Sequence, residues 1–132
     1  MKSLMSLARV RSATRSNTPD PSNFASSARE AVGQLRHATE ALLAVLATRP
    51  DAGMAVSVPY LKLCGYVAGG WLLARSAALA AARMDGPDRE FYAAKVQTAA
   101  FYAAQVLPIA AALARVVEAG GASVADTDAA LI

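Results

Sequence analysis

Apolar residues recur at steps of three and four through most of the chain, and this spacing predicts helices. No stretch alternates apolar and polar residues for long enough to predict a strand, so we expect an all-α fold. Glycine and proline divide the pattern into three long helices, which we expect to form an antiparallel bundle or hairpin. A short C-terminal helical turn completes the predicted domain, which covers residues 22–132.

The first predicted helix is amphipathic and covers residues 23–48, with Ser22 or Asn23 as its candidate N-cap. It ends because Pro50 disfavours the α conformation at Arg49, and Gly53 suits the turn that follows. Its apolar stripe consists of Phe24, Ala28, Ala31, Leu35, Leu42 and Leu46, and its charged face carries Arg29, Glu30, Arg36 and Glu40.

The second predicted helix ends near Met84, before the strong helix terminator at residues 85–87. Two starting points fit the sequence. If Ser57 is the cap, Pro59 falls in the first turn, where its missing N–H costs little. If the helix begins near Ala52, Pro59 kinks it instead.

The third predicted helix covers residues 87–118, bends at Pro108 and ends at the two glycines that follow. Asp88 and Glu90 suit the positive end of its dipole. We expect residues 123–132 to add one helical turn, anchored by Val124, Leu131 and Ile132.

The second and third helices carry apolar and small residues almost all the way round. A three-helix hairpin covers about one side of each member, so a large apolar surface is left for lipid, a second copy or another domain to cover. Residues 96–114 have no formal charge and approach the length of a membrane span. Arg75, however, adds a cost of about 2.5 kcal/mol or more near a bilayer centre, so membrane insertion is not the favoured interpretation.

Packing against protein explains more of these residues. Gly65, Gly69 and Gly70 thin one face of the second helix, where another backbone can approach, and Trp71 stands beside them as a core residue or a partner anchor. Lys95 is interpreted as a lysine whose stem covers apolar surface. The candidate packing and interface residues are Tyr60, Gly65, Gly69, Gly70, Trp71, Arg75, Lys95, Phe101, Tyr102 and Pro108.

The net charge of +3 comes from the N-terminal segment. Four of the 13 bases lie in residues 1–19, which contain no acid, so nine bases and ten acids remain from Asp20 onward. Nucleic-acid binding is therefore not expected. Residues 1–21 are predicted to be a disordered basic tail, although a transit peptide has the same composition.

The sequence contains no catalytic, cofactor-binding or metal-binding constellation, so we predict no site residue of these kinds. The glycine spacing in GYVAGG does not match a dinucleotide fingerprint. His37 lies on the polar side of the first helix and is interpreted as a solvated surface residue. Cys64 is the single cysteine, cannot form an internal disulfide, and is interpreted as inert packing.

Several residues of the second and third helices also match a known pattern, and the first helix adds only the His-Ala-Thr run at 37–39. The matching residues are Tyr60-Leu61, Gly65, Gly70-Trp71-Leu72, Ala74-Arg75, Tyr92, Lys95, Thr98-Ala99, Phe101-Tyr102, Leu107-Pro108 and Gly120. This pattern resembles the extra C-terminal helical domain of acyl-CoA dehydrogenases of the 3-methylmercaptopropionyl-CoA dehydrogenase type. Ala100 stands where that family often has an arginine, and Leu131-Ile132 where an aromatic residue is common.

The resemblance implies that the complete enzymes use FAD and a carboxylate base, both held in domains upstream of this one. It makes this chain a detached or separately encoded C-terminal domain with a packing or oligomerisation role, no cofactor and no chemistry of its own. Its expected partners are the dehydrogenase core domains or a second copy of itself, in the cytoplasm. The alternatives are a stand-alone homo-oligomeric interaction module and a two-span membrane hairpin.

Overall fold

The protein is represented by a computed structural model that describes residues 21–128 and 130. These residues form no strand, and the predicted all-α class is confirmed. Of the predicted tail, only Pro21 lies within the described residues, and Leu131 and Ile132 lie outside them. The helices are α1 (Pro21–Thr48), α2 (Pro50–Ala55), α3 (Ser57–Ala81), α4 (Arg89–Gln105), α5 (Pro108–Ala119) and α6 (Ala122–Ala125).

Helix α1 has the predicted stripe on its inner side and the predicted end. Phe24, Ala28, Ala31 and Leu42 are buried, and the backbone leaves the α conformation at Arg49 (φ −139°, ψ 80°) because of the proline that follows. The predicted N-cap is wrong. Ser22 and Asn23 lie inside the helix, which already includes Pro21.

The turn predicted after Arg49 belongs to a short helix, α2, which has Pro50 in its first turn. The fixed φ of proline suits a helix start, and the Gly53 N–H then bonds to the Arg49 carbonyl oxygen at 3.1 Å. Helix α3 begins at Ser57 with Pro59 in the first turn, which confirms one of the two predicted starts. Ser57 is not its cap, however, because Val56 occupies the N-cap position and makes no side-chain cap bond.

The third predicted helix is interrupted between α4 and α5. The N–H groups of Val106 and Leu107 both bond to the Tyr102 carbonyl oxygen, at 3.0 and 2.9 Å. Pro108 then opens α5, so the predicted bend is a break between two helices. Helix α5 ends as predicted at Gly120, whose φ of 73° favours glycine.

Helix α3 lies at the centre of the packing and contacts α1, α4 and α5. Two groups of buried residues form the core. The first joins α1, α3 and α5 and contains Ala31, Ala38, Leu42, Val56, Leu63, Val67, Leu107, Ala110, Ala114 and Val117. The second joins the start of α1 to the far halves of α3 and α4 and contains Phe24, Ala77, Ala80, Val96 and Ala99.

The short C-terminal helix α6 is held differently from the prediction. Val124, a predicted anchor, is 65% exposed. The segment is held by Gly121, which is buried against the backbone of Ala52, and by an ion pair in which Arg49 Nη2 lies 2.7 Å from Asp126 Oδ1. The missing side chain of Gly121 allows this close approach.

Candidate functional site

The exposed side of α1 is polar and suits solvent. Arg36 and Glu40 form an exposed ion pair at 3.4 Å, one helical turn apart. Arg29 and Glu30 are exposed on the same side, and His37 is exposed as predicted. Val32 and Leu43 are exposed on α1 as well, so this helix presents two apolar side chains among its charged ones.

The outward side of α3 is different, because most of the exposed side chains along its length are apolar. We call this surface the α3 outer face. Four of its large side chains are mostly exposed, Leu61 at 72%, Leu79 at 61%, Val58 at 60% and Leu72 at 59%. A monomer rarely leaves such a contiguous surface bare. The α3 outer face consists of Val58, Leu61, Gly65, Ala68, Leu72, Arg75 and Leu79, all exposed.

A second exposed apolar surface, the α4–α5 outer face, consists of Phe91, Phe101, Ile109 and Val116. Phe101 is 63% exposed and Phe91 59%. The ammonium nitrogen of Lys95 lies 5.1 Å from the Phe91 ring centroid, in a cation–π contact at the surface. The structure therefore places the predicted candidates Lys95 and Phe101 on this face.

Three of the predicted interface candidates, Gly69, Gly70 and Tyr102, pack inside the chain. A Cβ atom on Gly69 would lie 2.7 Å from the Tyr102 hydroxyl oxygen, and one on Gly70 would lie 2.8 Å from Leu107 Cδ1. Gly65 is different, since a Cβ atom there would meet nothing within 4 Å. The three glycines that the sequence places on one face therefore have different surroundings. Gly69 and Gly70 face other helices of the domain, whereas Gly65 is exposed.

Tyr60 joins α3 to α1 through Thr39, a contact that the sequence did not predict. The Thr39 hydroxyl donates to the Leu35 carbonyl oxygen at 2.7 Å, so the Tyr60 hydroxyl, 3.0 Å from Thr39 Oγ1, is the donor in their bond. The signal for Thr39 was its place beside the buried stripe, next to Ala38. This bond positions the start of α3 against the core.

Trp71 and Arg75 line a groove of about 370 Å³ between α3 and the start of α1. The guanidinium carbon of Arg75 lies 5.0 Å from the Trp71 ring centroid. Trp71 is 45% exposed, which excludes its interpretation as a core residue. The groove is otherwise apolar, and Arg29 is its other charged residue.

The described residues do not fit a flavin. Ligand sites place a few polar groups within a concave pocket, but no charged or polar residue among residues 22–128 and 130 is buried. The same residues contain no group of three metal-ligating side chains. Cys64 is half-buried and free. This part of the chain offers apolar surface for packing, and no step of flavin chemistry can be derived from it.

Two stretches are long and apolar enough to cross a membrane by length and composition, Ser57–Ala81 and Arg89–Ala119. Core helices of soluble proteins pass the same test, so it is weak support for a membrane protein. Arg75 lies within the first stretch and would cost about 2.5–3.5 kcal/mol near a bilayer centre. In the second stretch the N–H groups of Val106 and Leu107 both bond to the Tyr102 carbonyl oxygen, so the regular helical bonding changes there.

Comparison with known proteins places the chain in a family. A family model described as "Acetyl-CoA dehydrogenase C-terminal like" matches residues 6–128, which includes most of the predicted N-terminal tail. A 3-methylmercaptopropionyl-CoA dehydrogenase of Ruegeria pomeroyi is 46% identical over 67 residues, 50% of this chain. A broad-specificity linear acyl-CoA dehydrogenase, FadE5, of Mycobacterium tuberculosis is 41% identical over 66 residues, 47% of this chain.

The matched segments cover 11% of the length of each of these two relatives. The shared part is therefore a domain of a much longer protein. The resemblance drawn from the second and third predicted helices is confirmed, because the family match covers them entirely. The chain belongs to the acetyl-CoA dehydrogenase C-terminal like family, the C-terminal helical domains of acyl-CoA dehydrogenases.

Proposed function

We propose that this chain is a packing domain of an FAD-dependent acyl-CoA dehydrogenase, detached or separately encoded, and that it docks on the dehydrogenase core domains without performing chemistry itself. The observation that carries this proposal is the exposed α3 outer face, with Leu61 at 72% and Leu72 at 59% exposed. Such a surface favours burial against another protein.

The distribution of polarity supports a one-sided attachment. Helix α1 presents Arg36, His37 and Glu40 to solvent, whereas α3 and α4 present leucine and phenylalanine side chains. A domain that stands alone in water usually has polar residues on the outward side of every helix. In the proposed assembly α1 faces water, and the apolar faces lie against the core domains.

The chemistry is assigned to the partner. FAD and the carboxylate that removes the α-proton of an acyl-CoA belong, in this proposal, to the core domains, in keeping with the names of the two relatives. The described part of this chain contributes no buried polar group to such a site. Its contribution is to cover apolar surface on the core domains and to fix their association, in the cytoplasm.

Co-expression tests the proposal. The partner is the Ruegeria pomeroyi relative from which the segment matching this chain has been deleted. We expect the two polypeptides to co-purify, with flavin absorbance and acyl-CoA-dependent dye reduction in the complex. The chain purified alone should show neither signal. Dye reduction by the chain alone would overturn the assignment of chemistry to the partner.

Light scattering on the purified chain separates the proposal from a stand-alone module. If the chain forms a stable homo-oligomer and does not bind the co-expressed core domains, the proposal is wrong and the chain has an oligomerisation role. Aggregation of the lone chain that is relieved by the core domains supports docking, because it shows that the apolar faces need that partner.

A further inference from the structure

The exposed residues of the α3 outer face follow a coiled-coil spacing. Steps of three and four alternate without interruption, and this is the a and d pattern of a heptad repeat. The buried residues Leu63, Gly70 and Ala77 are seven apart and lie on the opposite side of the helix. The chain's own core therefore does not explain the outward pattern. The positions in order are Val58, Leu61, Gly65, Ala68, Leu72, Arg75 and Leu79.

Gly65 is the position in this pattern that internal packing explains least. Glycine inside a helix is unfavourable relative to alanine, and a Cβ atom at Gly65 would contact nothing in the described part of the chain. A small residue at an a position lets a facing helix approach closely. From Val58 to Leu79 the pattern extends about 32 Å at 1.5 Å per residue. This length corresponds to three heptads.

The charges beside the pattern are all positive. Helix α3 contains Lys62 and Arg75 and no acidic residue, and Arg83 follows its end. In the heptad register Lys62 takes an e position, which faces the flank of a bound helix, and Arg75 takes a d position. If a second copy bound antiparallel along the whole face, with Val58 opposite Leu79, Lys62 of one chain would oppose Arg75 of the other. Like charges therefore disfavour self-association, and acidic flanks on the occupant are favoured.

We infer that the α3 outer face is a docking site for an amphipathic helix of another protein, packed as in a coiled coil. The bound helix has apolar residues at its a and d positions and acidic residues at its e and g positions. In assigning that helix to the dehydrogenase core domains, the inference rests on the proposed function. Lipid is disfavoured as occupant, because the charged Arg75 belongs to the face.

A synthetic peptide of four heptads tests this inference directly on the full chain. The probe carries leucine at every a and d position and glutamate at every e and g position, and contains no tryptophan. Trp71, the chain's only tryptophan, takes a g position beside the seam, so its emission should shift to the blue on binding. A control peptide carries lysine at every e and g position, and we expect it not to bind.

Leu72→Glu is the decisive variant, and Leu43→Glu on α1 is its matched control. The two leucines are 59% and 62% exposed, so neither substitution disturbs the core, and circular dichroism verifies the fold. We expect Leu72→Glu to weaken binding of the acidic peptide by about tenfold or more, while Leu43→Glu binds like the unmodified chain. Leu79→Glu, 61% exposed, is a second variant on the same face.

Four results would overturn the inference. They are equal binding of both peptides, binding of neither, a homodimer in sedimentation velocity that Leu72→Glu dissolves, and binding to phosphatidylcholine vesicles that Leu72→Glu abolishes. The proposed function fails separately. If the acidic peptide binds but the core domains do not co-purify, the proposed docking on a dehydrogenase is wrong, while the inferred coiled-coil site on the α3 outer face is supported. If Leu72→Glu retains the core domains and the peptide does not bind, the proposed docking on a dehydrogenase is supported, while the inferred coiled-coil site is wrong.

Discussion

The hydroxyl of Tyr102 on α4 donates a hydrogen bond to the backbone carbonyl oxygen of Tyr66 on α3, with 3.0 Å between the two oxygens. The contact depends on Gly69, because any side chain there would meet the Tyr102 hydroxyl. The same part of α3 approaches α5 through Gly70 and Leu107. Glycines in the middle of α3 thus allow α4 and α5 to pack closely.

Substitution of Tyr102 by phenylalanine should destabilise the domain and change its response to alkali. Loss of the hydrogen bond should cost about 0.5–1.5 kcal/mol of unfolding free energy at neutral pH. Burial, and then the charge of Tyr66, hold the pKa of Tyr102 above its ordinary value of 10.0. The folded state therefore resists deprotonation, and this contribution to stability is complete below pH 10 and is lost as pH rises through the folded-state pKa.

Urea unfolding of the parent chain and of Tyr102→Phe at neutral and strongly alkaline pH measures both effects. The difference between the two proteins should shrink as the pH rises above 10.0. Tyr92→Phe, another half-buried tyrosine of α4, is the control for loss of a hydroxyl. A difference that is constant with pH would show that Tyr102 does not titrate differently in the folded state.

The glycines of α3 should respond in opposite directions to substitution by alanine. Gly65→Ala should stabilise the isolated chain by about 0.5–1 kcal/mol, since alanine is the better helix former and the new methyl group meets no atom. Gly69→Ala places a methyl group against the Tyr102 hydroxyl. Overpacking of this kind costs about 1–3 kcal/mol, which exceeds or cancels the gain in helix propensity. Thermal unfolding of both variants checks the prediction, and equal shifts would contradict it.

The sequence predicted elements well where one periodicity dominated. Helix α1 has a single apolar stripe, so Phe24, Ala31 and Leu42 could be assigned to the core from spacing alone. The end of α1 was equally clear, because the effect of proline on the residue before it is local. Local chemistry of this kind needs no knowledge of the tertiary structure.

The inner sides of helices α3 and α4 were harder to predict, because each helix carries apolar residues on all sides and no single stripe marks the buried one. Spacing alone could not separate Gly65, which faces open space, from Gly69, which faces Tyr102. The break at Leu107 was also missed. Proline predicted a disturbance, but the close approach of Leu107 to Gly70 is a tertiary contact. The interface candidates were therefore identified as a set and not divided into inner and outer members.

The ion pair between Arg49 and Asp126 should control the order of α6 more than the stability of the whole domain. It is exposed, and it joins the α1–α2 junction to the residue after α6. The hydrogen bond from Arg49, and then its charge, hold the pKa of Asp126 below its ordinary value of 3.8. The contribution of the pair is therefore present above pH 3.8 and is lost as the pH falls through the folded-state pKa.

Amide hydrogen exchange of α6 measures this effect. Asp126→Asn should speed exchange at Val124 and Ala125 and leave the melting temperature nearly unchanged. Asp51→Asn is the control, because Asp51 lies farther from Arg49, at 3.5 Å. High salt should reproduce part of the Asp126→Asn effect. Unchanged protection of α6 in Asp126→Asn would mean that Gly121 alone holds the segment.

Leu63 and Leu61 form a matched pair that separates folding from docking. They are two residues apart on α3, and Leu63 is fully buried whereas Leu61 is 72% exposed. Leu63→Ala should cost about 2–5 kcal/mol of unfolding free energy, because it removes buried methyl groups and leaves a cavity in the core. Leu61→Ala should change that free energy by less than about 0.5 kcal/mol.

Docking should show the reverse order. Leu61→Ala removes apolar surface from the α3 outer face, so it should weaken retention of the co-expressed dehydrogenase core domains although the domain itself stays folded. Urea unfolding and co-purification yield, measured on the same two variants, give both halves of the comparison. If Leu61→Ala destabilised the isolated chain as much as Leu63→Ala, its side chain would have to be buried within the chain or in a homo-oligomer. The α3 outer face would then not be free to meet a partner.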